Sequence, residues 1–118
     1  MESLLEIYKD QMNRNLSSKK NMTISEWQKA VYDNAVKKGW NNRTRPVPEM
    51  LCLIHSEISE ALEAYRSSNT KLFNEECADI AIRLIDMCSF LNIDLEKEML
   101  IKHEKNKLRP YRHGNKKC

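Results

Sequence analysis

The sequence PEMLCLIHSEISEALEAYRS, at residues 48–67, decides the fold class. Its apolar side chains recur every three or four residues, which places them along one face of a helix. Pro48 suits the first turn of such a helix, where a missing backbone N–H has no helical partner in any case. The expected core face consists of Val47, Met50, Leu51, Ile54, Ile58, Ala61, Leu62 and Tyr65. We therefore predict one long amphipathic helix that ends at about Ser67.

Similar but shorter patterns flank this helix. Thr23 and Glu26 form a T-x-x-E capping box that opens a helix reaching about Lys38, with Gly39 as its stop. Further helices are expected over residues 2–13, 72–91 and 94–109. The core face expected for residues 72–91 consists of Phe73, Cys77, Ile80, Ala81, Leu84, Cys88 and Leu91. Because a short turn joins the two longest helices, we expect them to run antiparallel.

The composition agrees with an all-α fold. The chain has 118 residues, of which two are Gly and three are Pro, and no alternating run of Val, Ile and Thr occurs. That length suits one domain, and that composition disfavours β-sandwiches, β-barrels and Gly-rich nucleotide folds. The chain has no apolar run of about 18 residues, and acidic residues near its start disfavour a signal peptide. We expect a cytoplasmic protein with no membrane association, whose four widely spaced cysteines are reduced thiols.

Four carboxylates lie beside the expected core instead of opposite it. Glu57 and Glu60 share one edge of their helix, and Glu76 and Asp79 share one edge of the next. Converging anions at a partly apolar site repel one another unless cations are present, and oxygen ligands favour Mg²⁺, with Mn²⁺ as a substitute. The alternative is that each acid flanks the core and pairs with Lys or Arg, as Asp79 would with Arg83 four residues later.

The end of the chain is basic. Residues 102–118, called the basic end below, contain seven Lys and Arg residues against one Glu, a net charge of +6. The face of the last helix that begins with Leu95 and Met99 continues with Lys102, Asn106 and Arg109. An apolar face that becomes cationic suggests a bound anion, which would be a phosphate chain or a nucleic acid. A solubilising tail is the alternative.

Three stretches resemble the short MazG-like members of the all-α nucleoside triphosphate pyrophosphohydrolases. They are LIHSEISEALEAYR (residues 53–66), EECADIAIRLID (residues 75–86) and KHEKNKLRPYRHGNKK (residues 102–117). The ExxE and ExxD halves of the family pattern match Glu57, Glu60, Glu76 and Asp79, and the ending K-x-x-x-N-x-x-R-P-x-x-H-G matches residues 102–114. The resemblance covers residues 22–118 and leaves residues 1–21 as an accessory segment.

The resemblance implies metal-dependent hydrolysis of a nucleoside triphosphate, or its deoxy form, to the monophosphate and pyrophosphate. It implies that the four acids hold Mg²⁺ and are catalytic together with Lys102. The residues expected to bind substrate are Lys102, Asn106, Arg109, Arg112, His113 and Trp40. Trp40 would stack on the base; Trp27 is the alternative for stacking, although packing in the core is its expected role. It also implies a helical bundle completed by a second subunit, in a homodimer or a dimer of dimers.

Two other classes of protein remain possible at this point. One is a non-catalytic helical module that binds nucleic acid through the basic end, although four converging acids would repel a phosphate backbone. The other is a catalytically idle homologue, although such a protein would be expected to have lost at least one of the four acids.

Overall fold

The structure, a computed structural model, describes residues 3–18, 21–40 and 44–118. These residues form five helices and no strand: α1 (Leu4–Ser18), α2 (Ile24–Lys37), α3 (Val47–Arg66), α4 (Thr70–Phe90) and α5 (Leu95–Lys107). A single turn, Arg112–Asn115, follows α5. The prediction of an all-α protein is therefore confirmed for the described part of the chain.

Local sequence signals set most of the helix ends. The Thr23 hydroxyl accepts a bond from the Glu26 N–H, and the Glu26 carboxylate accepts one from the Thr23 N–H, so the predicted capping box is present. Pro48 lies in the first turn of α3, and the Asp94 carboxylate caps α5 by accepting from the Lys97 N–H. Gly39 adopts the left-handed backbone that ends α2, with φ of 83°.

The helices α3 and α4 form an antiparallel hairpin around a tight turn. Ser68 has a left-handed backbone with φ of 56°, and the Asn69 side chain accepts from the Leu72 N–H to cap α4. The sequence pattern had placed this start at Leu72, two residues later than the observed Thr70. The hairpin brings the carboxylates of the two helices to one interface.

One glutamine connects α2 to the start of α5. The Gln28 amide nitrogen donates to the Ile93 carbonyl at 2.7 Å, and the Gln28 amide oxygen accepts from the Leu95 N–H at 3.1 Å. The Ser89 hydroxyl of α4 donates to the Gln28 carbonyl at 3.0 Å. The helix α2 therefore packs on the second half of α4 and fixes where α5 begins.

The apolar core is small and differs from the faces expected from sequence. Its buried apolar side chains are Ala35, Met50, Ala61, Ala64, Met87 and Cys88. On α3 the buried face also includes Glu57, while Leu51, Ile58 and Leu62 of the expected core are 45%, 46% and 58% exposed. The buried face of α3 includes Ala61 and Ala64, and small side chains of this kind favour close packing of two helices.

The corresponding correction on α4 concerns Cys77, Ala81 and Leu84. These three residues were expected in the core and are exposed, whereas Met87 and Cys88 are buried together with Glu76. The apolar residues of α4 that were expected in the core thus lie on the same side of the hairpin as the exposed apolar residues of α3.

The two ends of the chain stand apart from this core. The helix α1 reaches Ser18, which corrects the expected end at residue 13, and its residues 4–17 are all exposed. Every residue from 96 to 118 is exposed as well. The radius of gyration is 17.9 Å, against about 13.5 Å for a compact domain of this length. No described helix combines the length and the apolar character needed to cross a membrane.

Candidate metal site between α3 and α4

Three carboxylates meet at the interface between α3 and α4. Glu57, Glu76 and Asp79, called the acidic triad below, each offer one oxygen, and these oxygens all lie within 4.8 Å of one another. Glu57 and Glu76 are only 8% exposed, whereas Asp79 is exposed. Burial of a carboxylate is costly unless a cation or a hydrogen-bond donor compensates its charge. The triad therefore requires compensating charge.

Arg83 supplies part of that charge. Its Nε donates to Oε1 of Glu57 at 2.8 Å across the helix interface. The spacing in sequence had suggested a pair with Asp79 on the same helix, yet the ion pair that the structure contains joins α4 to α3. This hydrogen bond is the main reason that the pKa of Glu57 lies below its ordinary value of 4.5.

Glu76 has no such compensation. Its Oε2 is buried and has no hydrogen-bond partner. A hydrogen bond with Glu57, burial, and the negative charges of Glu60 and Glu57 together raise the pKa of Glu76 to about 7. A carboxyl group with this pKa is partly protonated near neutral pH in the absence of a cation.

Glu60 lies beside the triad and not within it. It is exposed, and its negative charge is one of the causes that raise the pKa of Glu76. Of the four acids predicted as metal ligands, three thus offer oxygens to one point and the fourth lies next to them.

The triad could hold a metal ion. A divalent cation placed among the three oxygens would neutralise the two buried carboxylates and satisfy the unpartnered Oε2 of Glu76. Carboxylate oxygens suit hard cations, whereas the thiol and imidazole ligands that select zinc or copper are not part of this cluster.

A cavity of about 620 Å³ opens beside the triad, between α2, α3 and α4. Glu57, Asp79 and Arg83 form part of its lining. Apolar side chains form another part: Val31, Ala35, Trp40, Met50, Leu53 and Ile82. Trp40, predicted to stack on a base, therefore lines the cavity that the acids line, and it is 58% exposed.

The same cavity contains an ion pair that the sequence pattern does not indicate. Arg45 donates to Oδ2 of Asp86, and the two side chains are 16% and 15% exposed. The guanidinium of Arg45 also lies 4.7 Å from the centre of the Phe90 ring. Asp86 follows Asp79 by two helical turns and therefore shares its face of α4. This spacing is the sequence feature that could have indicated Asp86 as a cavity residue. Its partner is 41 residues away in sequence, and no local pattern indicates that contact.

The predicted phosphate-binding residues lie elsewhere within one chain. Five of them are exposed in the basic end: Lys102, Asn106, Arg109, Arg112 and His113. None of these five is among the residues that line the cavity. The side-chain contacts described for them are local: Arg109 Nη1 lies 3.4 Å from His113 Nδ1, and the Arg112 guanidinium lies 5.5 Å from the centre of the Tyr111 ring. Within a single subunit the acidic and basic parts of the predicted site are therefore separate.

No protein-family model, curated protein or solved structure matches this chain.

Proposed function

We propose that this protein hydrolyses a nucleoside or deoxynucleoside triphosphate to the monophosphate and pyrophosphate with Mg²⁺ or Mn²⁺ as cofactor. The observation that supports it most is the buried, unpartnered Oε2 of Glu76 beside Glu57 and Asp79. A fold that buries two carboxylates this closely is destabilised by their repulsion unless a cation binds them or one of them is protonated. The resemblance to the MazG-like enzymes supplies the reaction.

The neighbouring cavity supports a nucleotide as the substrate. Its volume of about 620 Å³ falls in the range of about 300–1,000 Å³ that is typical of small-molecule sites. The lining combines apolar side chains and Trp40 with the charged groups of Glu57, Asp79 and Arg83. An aromatic and apolar wall suits a nucleobase, and a carboxylate-bound cation suits its phosphates.

In this mechanism the acidic triad would hold the metal, which when bound acidifies a water and offsets charge on the leaving pyrophosphate. Attack of water on the α-phosphorus would form the new P–O bond of the monophosphate and break the bond to the bridging oxygen, so that pyrophosphate leaves. Glu60 is the proposed proton acceptor, because it is exposed and lies beside the triad without belonging to it. Lys102 and Arg109 would stabilise the charge on pyrophosphate.

A second copy of the chain would complete this site. Val47, Leu51, Ile58, Leu62 and Tyr65, called the apolar face below, lie along one side of α3 and are 40–70% exposed. Leu84 and Ala81 extend it across α4. A face of two long helices is a typical surface for pairing with a second such hairpin. In a dimer or a dimer of dimers, the basic end of one subunit could then reach the acidic triad of another.

The direct test is incubation of the protein with each common nucleoside triphosphate and Mg²⁺, with the products separated as monophosphate, diphosphate, pyrophosphate and orthophosphate. We expect equal amounts of monophosphate and pyrophosphate. Release of orthophosphate with diphosphate would contradict attack at the α-phosphorus. The absence of turnover with every nucleotide in both Mg²⁺ and Mn²⁺ would contradict the proposed activity.

Nucleic-acid binding is the second candidate, because all seven Lys and Arg side chains of the basic end are exposed. A continuous cationic segment of this kind attracts a phosphate backbone without sequence preference. The acidic triad and its cavity have no role in that function.

A further inference from the structure

The contact that carries a further inference is the bond between Arg83 Nε and Glu57 Oε1, which measures 2.8 Å. The Glu57 side chain is enclosed, with 11% of it exposed, whereas 43% of the Arg83 side chain is exposed. Arg83 also lines the cavity beside the triad. A partly exposed cation is therefore attached to one ligand of the candidate metal site while it faces the space expected to hold substrate.

Arg83 and a metal ion would compete for the same carboxylate. Each neutralises the charge of Glu57, and two cations drawn to one anion repel each other at close range. A metal bound by the triad would therefore weaken the bond between Arg83 and Glu57. The guanidinium would remain close by, because its backbone is fixed in the middle of α4.

We propose that Arg83 exchanges partners when the site is loaded: it neutralises Glu57 in the metal-free protein and binds a phosphate group of the substrate once a metal takes Glu57. This inference rests on the function proposed above and adds a substrate-binding residue to it. The planar guanidinium suits both partners, because it donates parallel hydrogen bonds to a carboxylate or to a phosphate.

The other arginine of the cavity is less suited to this exchange. Arg45 is 16% exposed, bonds to Asp86 and lies over the Phe90 ring. Neither of those partners belongs to the acidic triad, so a metal ion bound by the triad would not compete with Arg45 for them.

The test compares wild type, Arg83→Gln and Arg83→Lys in two titrations. In the first, Mn²⁺ binding is measured by electron paramagnetic resonance, and Arg83→Gln should bind Mn²⁺ at least about fivefold more tightly because a competing cation is gone. In the second, the non-hydrolysable α,β-imido analogues of dATP and dCTP are titrated at saturating Mn²⁺. Arg83→Gln should bind them about tenfold or more weakly than wild type does, and Arg83→Lys should bind them with intermediate affinity.

Opposite changes in the two titrations distinguish an exchanging residue from a structural one, since a damaged site would lose affinity for both ligands. Arg66→Gln is the matched control, because Arg66 is 71% exposed, pairs with Glu63 at 3.9 Å and does not line the cavity. It should change neither affinity. The helical circular dichroism of each variant establishes that it is folded.

Unchanged analogue affinity in Arg83→Gln, or unchanged or weaker Mn²⁺ affinity, would overturn the inference. If either occurs while wild type still releases pyrophosphate, only the role of Arg83 is wrong. If both affinities change as expected but no nucleotide is hydrolysed, the proposed reaction is wrong and the exchange stands. A wild type that binds no Mn²⁺, or no analogue, overturns the exchange as well.

Discussion

Glu57 and Glu76 face each other across the α3–α4 interface with the same exposure of 8% and opposite shifts in pKa. The hydrogen bond from Arg83 lowers the pKa of Glu57, whereas a hydrogen bond with Glu57 and burial raise the pKa of Glu76, whose Oε2 has no hydrogen-bond partner. Although the two groups are chemically identical, Glu57 is an anion at neutral pH, whereas Glu76 has a pKa of about 7.

The opposite pKa shifts of Glu57 and Glu76 predict how the stability of the metal-free protein depends on pH. The pKa of Glu76 is raised to about 7 in the folded state from an ordinary value of 4.5. As pH rises between these values, the unfolded chain has lost the proton that the folded chain retains, so stability falls and then levels off above about pH 7. Glu57 acts in the opposite sense, since its lowered pKa adds stability above its ordinary value that is lost on acidification.

The measurement is thermal unfolding in EDTA from pH 4.5 to 8.5 for wild type and Glu76→Gln. We expect the melting temperature of wild type to fall across this window relative to that of Glu76→Gln. If the melting temperatures of the two proteins change with pH in parallel, Glu76 is not the group that titrates in this window. Glu63→Gln serves as the control, because Glu63 is an exposed acid on α3 outside the triad.

Mg²⁺ or Mn²⁺ should raise the melting temperature. A ligand that binds only the folded state stabilises it by RT ln(1 + [L]/Kd), about 2.7 kcal/mol at a hundredfold excess over Kd. We expect this response in wild type and its loss in the double variant Glu57→Gln/Glu76→Gln. If the metal ion raises the melting temperature of the double variant as much as that of wild type, the metal site lies elsewhere.

Removing a single carboxylate charge should impair turnover more than folding. Glu57→Gln or Asp79→Asn should lower kcat by on the order of 10² or more, because each change weakens metal binding at the reacting phosphate. The assay is pyrophosphate release at saturating Mg²⁺, with Glu63→Gln expected to keep full activity. Turnover near that of wild type in either variant would remove that residue from the site.

The basic end separates the enzyme from the nucleic-acid module. In the enzyme, Lys102→Ala or Arg109→Ala should weaken triphosphate binding and turnover while the metal-induced rise in melting temperature persists. Replacing both Lys116 and Lys117 should matter less, since exposed charges typically contribute under about 1 kcal/mol. In a nucleic-acid module, each of these four residues would contribute about equally to the affinity for DNA or RNA, with steep dependence on salt. Titration of labelled DNA and RNA at physiological salt decides between them.

The apolar face predicts self-association. Leu62 is 58% exposed in the single chain, so Leu62→Glu should cost the monomer little and should disrupt pairing through α3. We expect light scattering after size exclusion to give at least twice the mass of 13.9 kDa for wild type and a smaller assembly for the variant. The control is Glu63→Lys, which changes charge at an exposed position of α3 outside the apolar face. A monomeric wild type would remove the second subunit from the proposed site.

The helices were predictable because their signals are local. Thr23, Pro48 and Asp94 act on backbone groups within one turn, and each marks a helix start as the sequence indicated. The end of α1 was missed, because no comparable signal stops a helix in the polar residues from 13 to 18.

Which face of α3 turns inward was not predictable from hydropathy. Leu51, Ile58 and Leu62 are more apolar than Glu57, yet Glu57 is the buried residue and shares the buried face of α3 with Ala61 and Ala64. The same pattern did place four acids on facing edges, since helical spacing alone determines which residues share an edge. The contacts of Arg83 with Glu57 and of Arg45 with Asp86 depend on the tertiary arrangement and leave no trace in local spacing.

The helix α5 extends away from its attachment to α2, where the amide of Gln28 bonds to Ile93 and Leu95. From its base at Leu95 the helix continues for 13 residues, a length of about 20 Å at 1.5 Å per residue. With every residue beyond that base exposed, a tilt of about 10° at Gln28 would move the far end by roughly 3 Å. That distance is the length of a hydrogen bond, so the contacts of Gln28 and Ser25 with the start of α5 would determine where the cations of the basic end lie.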